Sequence, residues 1–463
     1  MASKTRHEVT DVIVVGGSVG GLAVGIMVAD HGGRTVIVER QRILGGSAAP
    51  EPEHLAAPAS RLQRAAGIDD SPAALVDDLV AETQHKIDPA LAALVAEQGA
   101  PLVDWLIDRC GLPLELVAAS AYRGHSRPRL HSMGPQGGAA LIEALERIVS
   151  RHHRIRVLRG VVVTSISRDT DGRGCGVELE SPRRSDPKAM QGAVVLACGG
   201  YAAADELIGR VAPNLAAFPA RGCPTATGDG IRLAEKVEAK LESLGACAVT
   251  ALLATPSDLN VDPTIVSYGA ILVNQAGRRF VDETAEPIVV AETMAAQPGR
   301  LGYLIFDQRI ADAAGTHNPH LARTVLPRVV RRATTVAELA RQLELDEAGL
   351  ALTLDTYNAN VDLGGDPFGR DRATNVLRPP LLAIRVIPAR RRSLGGVAID
   401  AAARVLGVDG APIANLYAVG GIVGGLGRGG SSDEIPGMAP LITLATARLV
   451  AAAWQAGHAD EES

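Results

Sequence analysis

The residues best placed to do chemistry lie close to the N-terminus. Residues 11–40 read DVIVV, then Gly16-Gly17-Ser18-Val19-Gly20-Gly21, then an apolar run, then RTVIVER with Glu39 and Arg40 at its end. The period predicts a strand, a glycine turn, a helix and a second strand. This is the order that holds a dinucleotide. Gly16 makes the tight turn, a small residue (here Ser18) lets the backbone approach a pyrophosphate, and Gly21 lets helix and strand pack closely. Amides at the helix N-terminus would hold the anion. Glu39 would meet the ribose hydroxyls, with Arg40 beside it. The same residues also spell G-x-S-x-G, the turn that exposes a hydrolase serine. That chemistry takes an oxyanion donor from an earlier strand's loop, and only about ten residues precede the first strand, so the hydrolase reading is set aside. The middle of the chain offers VLRGVVV and VVLACGG but no second G-x-G-x-x-G, so one dinucleotide is expected.

Arginines form the second set. Arg370 stands in FGRD, Arg390, Arg391 and Arg392 precede a Gly-Gly pair, and Arg428 lies in GGLGRGG. Arginine can clamp a carboxylate through two parallel hydrogen bonds. Acting as a proton relay is more demanding, given its high intrinsic pKa. In so Arg-rich a chain, ion pairs at a surface or domain boundary account for the same residues. Arg370, Arg392 and Arg428 are the candidates for catalysis. GHSRPRLH (124–131) adds Arg127, Arg129, His125 and His131; no carboxylate pattern accompanies the histidines, so no metal site is expected. Tyr268, Tyr357 and Tyr417 read as core or edge residues before they read as acids.

The elements that must carry these residues follow from composition and period. The 463 residues are 47% hydrophobic and 21% charged with a net charge of -6, enough for a large core and two to four domains. The acidic balance argues against a nucleic-acid carrier. Five cysteines without C-x-x-C exclude zinc spacing, haem attachment and a disulfide framework, and point to a reducing cytoplasm. The glycine-broken run after Val12 is not expected to be a signal peptide. No 18 uninterrupted apolar residues occur, so no membrane span is expected. Helical spacing fills about 55–150, and β-branched runs follow to GAVVLACGG. A mixed stretch covers about 205–378, with a predicted hairpin at AILVNQAGRRFVDE and helices at 335–361. β signals return after Pro379, and a last helix is expected over about 437–457. The β-rich ends thus flank an insert.

Several segments together resemble the fumarate reductase, succinate dehydrogenase flavoprotein and 3-ketosteroid dehydrogenase superfamily of FAD enzymes: VVGGSVGGL (15–22), GGSAA (45–49), VVLACGGY (194–201), TGDGIRLAEK (227–236), ILVNQAGRRFVDE (271–283), YN (357–358) with FGRD (368–371), LGGVAID (394–400) and NLYAVGGIVGG (415–425). The resemblance implies an α/β fold: a Rossmann-like FAD-binding domain built from both chain ends (1–204 and 379–463), with an inserted α+β cap domain at 205–378 that carries substrate contacts. It implies FAD held without a covalent link, and exchange of a hydride between flavin N5 and one carbon of a C=C bond beside a carbonyl or carboxylate. A protein group would exchange the proton at the neighbouring carbon.

Carried over position by position, Gly16, Ser18, Gly20 and Gly21 form the pyrophosphate turn, and Glu39 and Arg40 serve the adenosine ribose. Gly45, Gly46 and Ser47 lie along the pyrophosphate and flavin. Val162 brackets the adenine, Ala197, Cys198 and Gly199 end a strand at the cofactor, and Asp229 approaches the flavin side. Gly420 and Gly421 end another strand, the pair Gly395-Gly396 after the arginines should pass the flavin, and Met438, Ala439 and Leu441 point helix amides at the flavin N1/O2 edge. Arg370 falls in or beside the segment that carries the reductases' catalytic arginine. Three departures stand out. Gly421 replaces an acid. Arg392-Ser393-Leu394-Gly395-Gly396 replaces a His-Thr-Met-Gly-Gly stretch, and Ile435-Pro436-Gly437 lacks the ketosteroid enzymes' tyrosine. A flavin-dependent hydroxylase, without its late Gly-Asp-Ala, and a flavin-binding protein without turnover are the alternatives. The expected partners are a small carbonyl or carboxylate substrate and an electron donor or acceptor.

Overall fold

The computed structural model describes residues 7–46, 54–83, 87–117, 122, 124–134, 137–168, 175–183, 186–318, 320–363, 365–370, 375–425 and 435–459. The chain divides into two compact units. The first comprises Met1–Ala212, Gly222–Cys247 and Arg392–Ser463, and the second Pro213–Arg221 and Ala248–Arg391. The insert therefore begins later than residue 205 and runs beyond 378. Gly222–Cys247 returns to the first unit, because the helix Asp229–Lys236 is tied there through Asp229.

The first unit is built on an eight-stranded sheet. Strand β1 (His7–Val15) lies at its centre, parallel to β2 (Thr35–Glu39) on one side and to Ala189–Leu196 on the other. Ile155–Arg159 extends the sheet beyond β2, and Pro412–Ala418 lies parallel to Ala189–Leu196. The chain leaves β1 to one side and returns on the other, which creates a crevice at the carboxyl ends of the central strands. Helix α1 (Val19–Asp30) connects β1 to β2. It is apolar on every side and buried up to Ala29, as a helix enclosed by other elements must be. The last helix, Met438–Ala459, contributes Leu441, Leu444, Ala445 and Val450 to the same core.

The segment before residue 150 is mainly helical, with a small three-stranded sheet, and two of its helix starts are capped ahead of proline. Ser71 and Asp88 accept from first-turn amides, each followed by proline. Pro89–Arg109 is long and apolar enough to cross a membrane by length and composition. Leu102, Val103 and Leu106 of that run are wholly buried in the core of this unit, as in the core helix of a globular fold.

The second unit carries a six-stranded sheet in the order Leu259–Asn260, Cys247–Ala254, Leu381–Ser393, Gly302–Asp307, Ile271–Val273, with Arg331–Ala333 also on Leu381–Ser393. The ladders of Gly302–Asp307 to both neighbours are antiparallel. The hairpin expected at 270–283 forms only in part. The turn closes with Asn274 N donating to Arg278 O (2.9 Å) and a single bridge joins Val273 to Arg279, but no return strand follows. The Leu272 amide that such a strand would have engaged donates instead to the Glu283 carboxylate at 2.9 Å. Helices at Val336–Leu343 and Glu347–Leu363 occupy the predicted helical segment.

Candidate cofactor and active site

Four adjacent strands end at the crevice of the first unit: β1 at Gly16-Gly17, β2 at Glu39-Arg40, Ala189–Leu196 at Ala197-Cys198-Gly199, and Pro412–Ala418 at Gly420-Gly421. Gly16 has φ +113°, and a Cβ there would lie 2.6 Å from the Ala197 carbonyl oxygen. A Cβ on Gly21 would meet the Gly16 oxygen at 2.1 Å. Backbone presses on backbone at both positions, so glycine is required for the turn to close. Ser18 caps α1: its hydroxyl donates to Ala197 O (2.7 Å) and accepts from Gly21 N (3.3 Å). Ser18 pairs in parallel with Gly45, which engages the Val19 amide, and among the described residues no acceptor serves the Gly20 amide, which leaves a donor at the positive end of a buried twelve-residue helix.

Glu39 sits where the sequence placed it. Its carboxylate accepts from Gly17 N (2.8 Å) and Gln41 N (2.7 Å), which fixes it against the glycine turn. The Val161 amide donates to Glu39 O, so Val162 starts its strand beside the same site and is exposed. Gly45 N donates to Gly17 O (2.7 Å), and Gly45 and Gly46 both have positive φ. Arg40 pairs with Asp229 and donates to Thr225 O (2.9 Å), and Asp229 also holds Arg232 at 2.6 Å. Burial pushes the Cys198 thiol up to about 12, so it is a neutral strand-end residue.

The donor set fits a dinucleotide pyrophosphate and ribose. The turn leaves room for a ligand backbone, the N-terminus of α1 offers a free Gly20 donor to an anion, and a fixed carboxylate stands at the end of β2. When bound, FAD would supply a flavin N5 able to give or take a hydride.

The remaining assignments divide. Ser47 and Arg428 lie outside the described residues. At the last helix, Met438 N already donates to Ile435 O (3.2 Å) and Leu441 N to Gly437 O (3.4 Å). Pro440 has no N–H, so of the three positions expected to offer amides to a flavin edge only Ala439 remains. The Met438 and Leu441 side chains belong to the core. Gly395 and Gly396, expected to pass the flavin, are already accounted for by the chain itself. A Cβ on them would stand 2.1 Å from Ser243 O and 1.8 Å from Ile422 O. Gly421 is exposed and lies beside Gly199-Gly200. Thr446, wholly buried, was not singled out in the sequence. Its hydroxyl accepts from Gly420 N (3.1 Å) and anchors that strand end, and no local pattern marks such a residue.

The catalytic candidates that the structure describes fall in both units. Arg392 is half-buried in the first unit. Arg370 belongs to the second, where its side chain is 1% exposed. It donates to Ala270 O (3.1 Å), Val266 O and the Glu283 carboxylate (3.4 Å). Glu283 is also clasped by Arg279 through bonds of 2.9 and 2.7 Å, and Arg279 continues to Asp366 at 2.7 Å. The Arg279 guanidinium lies 5.3 Å from the Tyr357 ring centre and 5.0 Å from that of Phe368. Burial works against the Arg279 charge, but Glu283 and Asp366 more than offset it and hold its pKa above the ordinary value. Two arginines and two carboxylates form a balanced, dry cluster. Arg370 there ties carbonyls and a carboxylate together, which is a different task from the proton delivery expected of it.

Arg129 makes a comparable knot in the first unit, bidentate to Asp70 at 3.0 Å and paired with Asp78. His131 is buried against Ser60 Oγ (2.8 Å), and His125 Nε2–H donates to Pro436 O (2.8 Å). These residues of the 124–131 cluster are framework. No grouping of three or more metal-ligating side chains occurs among the described residues.

Known proteins agree with this geometry. NADH:fumarate oxidoreductase of Klebsiella pneumoniae (strain 342) is 29% identical over 439 residues, which cover 94% of this chain and 47% of that protein. The chain thus spans about half the length of this relative. The open conformation of a flavocytochrome c3 fumarate reductase superimposes with TM-score 0.84 at 25% identity, covering 97% of this chain and 78% of the other. The 3-ketosteroid-Δ4-(5α)-dehydrogenase of Rhodococcus jostii RHA1 shares the fold, with TM-score 0.75, 23% identity and 98% of each chain covered. A family model described as FAD binding domain matches residues 11–432, through the glycine turn, Glu39, both returning strands and the intervening unit, and the chain belongs to that family.

Proposed function

We propose that the protein is an FAD-dependent oxidoreductase that exchanges a hydride with one carbon of a C=C bond beside a carbonyl or carboxylate. The observation that carries this reading is the cradle at the ends of β1 and β2, with the N-terminus of α1 and the fixed Glu39, in a chain whose similarity to an NADH:fumarate oxidoreductase runs through 94% of its length. The residues here have three tasks. The Gly20 amide at the N-terminus of α1 and Glu39 hold the dinucleotide. The glycine strand ends at 199–200 and 420–421 keep side chains away from it. Arg392, next to the buried Ser393 whose hydroxyl accepts from Tyr201 N (2.9 Å), donates to the oxygen of the electron-withdrawing group, where charge builds as the double bond is polarised. The FAD is held non-covalently, and the substrate is a small enoate or enone. The five cysteines, none of them in a disulfide, support a reducing, cytoplasmic setting.

The test is anaerobic. The purified flavoprotein is reduced with dithionite and mixed with fumarate, acrylate and cyclic enones, and reoxidation of the flavin is followed by stopped flow. Saturable reoxidation by at least one of them is expected. If none reoxidises the flavin faster than buffer, and no saturated counterpart bleaches the oxidised form, the reading fails. Acid denaturation should release intact FAD; flavin retained on the denatured chain would overturn the non-covalent assignment.

A further inference from the structure

A second cluster of charge lies at the other end of α1. The last turn of the helix Gly138–Arg151 brings Arg147, Ile148 and Arg151 together with His152, and Arg109 joins them from the segment Trp105–Arg109. These five residues line a cleft of about 330 Å³. Among the described residues one carboxylate serves it. Asp30, the last residue of α1, holds Arg109 through two bonds of 2.9 Å and faces His152 Nε2 at 3.6 Å. Arg147 gives one N–H to Cys110 O (2.8 Å), and among the described residues neither Arg147 nor Arg151 has a carboxylate partner. Ile148 is buried beneath them.

Cations near a helix C-terminus are favoured by the helix dipole, and that accounts for one such residue. It does not account for three guanidiniums around one cleft with a single acid between them. Two of these guanidiniums keep N–H groups for an external acceptor, and the planar fork of arginine matches phosphoryl and carboxylate oxygens alike. We propose that this cleft binds a small multivalent oxyanion, of the phosphate or polycarboxylate kind, at a site separate from the dinucleotide cradle. The twelve residues of α1 place Asp30 roughly 18 Å from the glycine turn, so the cofactor does not reach it. The proposal is independent of the reaction assigned to the protein.

Isothermal titration of the FAD-loaded protein with pyrophosphate and with citrate, at constant ionic strength, tests it. Bound FAD keeps the first anion site filled. A single saturable site is expected, and the stronger of the two ligands identifies phosphoryl or carboxylate chemistry. In the double variant Arg147→Gln/Arg151→Gln the affinity should fall by about tenfold or more, as expected for losing charge-assisted hydrogen bonds, with flavin absorbance unchanged. No saturable heat with either ligand, or equal affinity in the double variant, overturns the proposal. If the double variant loses its flavin, Arg151→Gln alone decides. Its side chain is exposed and, among the described residues, has no hydrogen bond to lose, so unchanged affinity there overturns the proposal and weakened affinity supports it.

Discussion

Replacing Arg370 separates two roles that the sequence alone leaves equivalent. Its guanidinium holds two carbonyls and part of the Glu283 carboxylate in a site with almost no water. Truncation to Ala would orphan the Ala270 carbonyl, at about 1–3 kcal/mol for a buried acceptor left unmade, while Val266 O keeps the Gly269 amide at 2.9 Å. Breaking a buried ion pair costs about 3–5 kcal/mol. Arg279 still clasps Glu283 through two bonds, which places the total near the lower end of that range. For a unit of this size, at about 2–4 °C per kcal/mol, a loss of about 3–4 kcal/mol lowers the melting temperature by roughly 6–16 °C. Arg370→Met, which restores volume without donors, should do little better, because the Ala270 carbonyl stays unpaired. The assay is thermal unfolding by circular dichroism, read beside flavin content and the rate of flavin reoxidation per bound FAD at a temperature where the variant is folded. The expectation is a large fall in melting temperature with the rate per flavin within a few-fold of wild type. An unchanged melting temperature with turnover reduced by about 10²–10⁴-fold, the usual loss for a general acid, would refute the structural assignment and return Arg370 to the reaction.

Other outcomes follow from the cradle and the buried histidines. Gly21→Ala puts a Cβ 2.1 Å from the Gly16 oxygen and should yield protein without flavin colour; a yellow, normally folded variant would contradict the turn geometry. Glu39→Gln removes a charged acceptor from Gly17 N and Gln41 N, and charge-assisted bonds of this kind predict FAD binding weaker by about 10–100-fold in a fluorescence titration. Burial lowers the pKa values of His54, His125 and His131 below their ordinary 6.5. Below pH 6.5 the unfolded chain then binds more protons than the folded one. Their contribution is complete above 6.5 and is lost as pH falls through the lowered values. The melting temperature should decline between pH 7 and pH 5, and an invariant melting temperature would show that these imidazoles are not held neutral.

The order of strand, glycine turn, helix, strand and acid was legible because each part is local. Strand and helix periods repeat every two or 3.6 residues, and the turn demands glycine within a six-residue window. Glu39 stands at the end of β2 for the same reason. The return of β-rich chain after Pro379 also showed in composition, although the boundary of the second unit at Arg391 did not. FGRD, by contrast, gave no indication of what Arg370 would meet. Its partners at Val266, Ala270 and Glu283 stand 104, 100 and 87 residues earlier in the chain. Leu394-Gly395-Gly396 reads as a cofactor approach until Ser243 and Ile422 are seen pressing on it. Whether a charged side chain faces ligand or is sealed among carbonyls, and whether a glycine makes room for a cofactor or for another strand, depends on which distant segments stack against it. Burial and sheet pairing make that choice across tens of residues, beyond the reach of any local pattern.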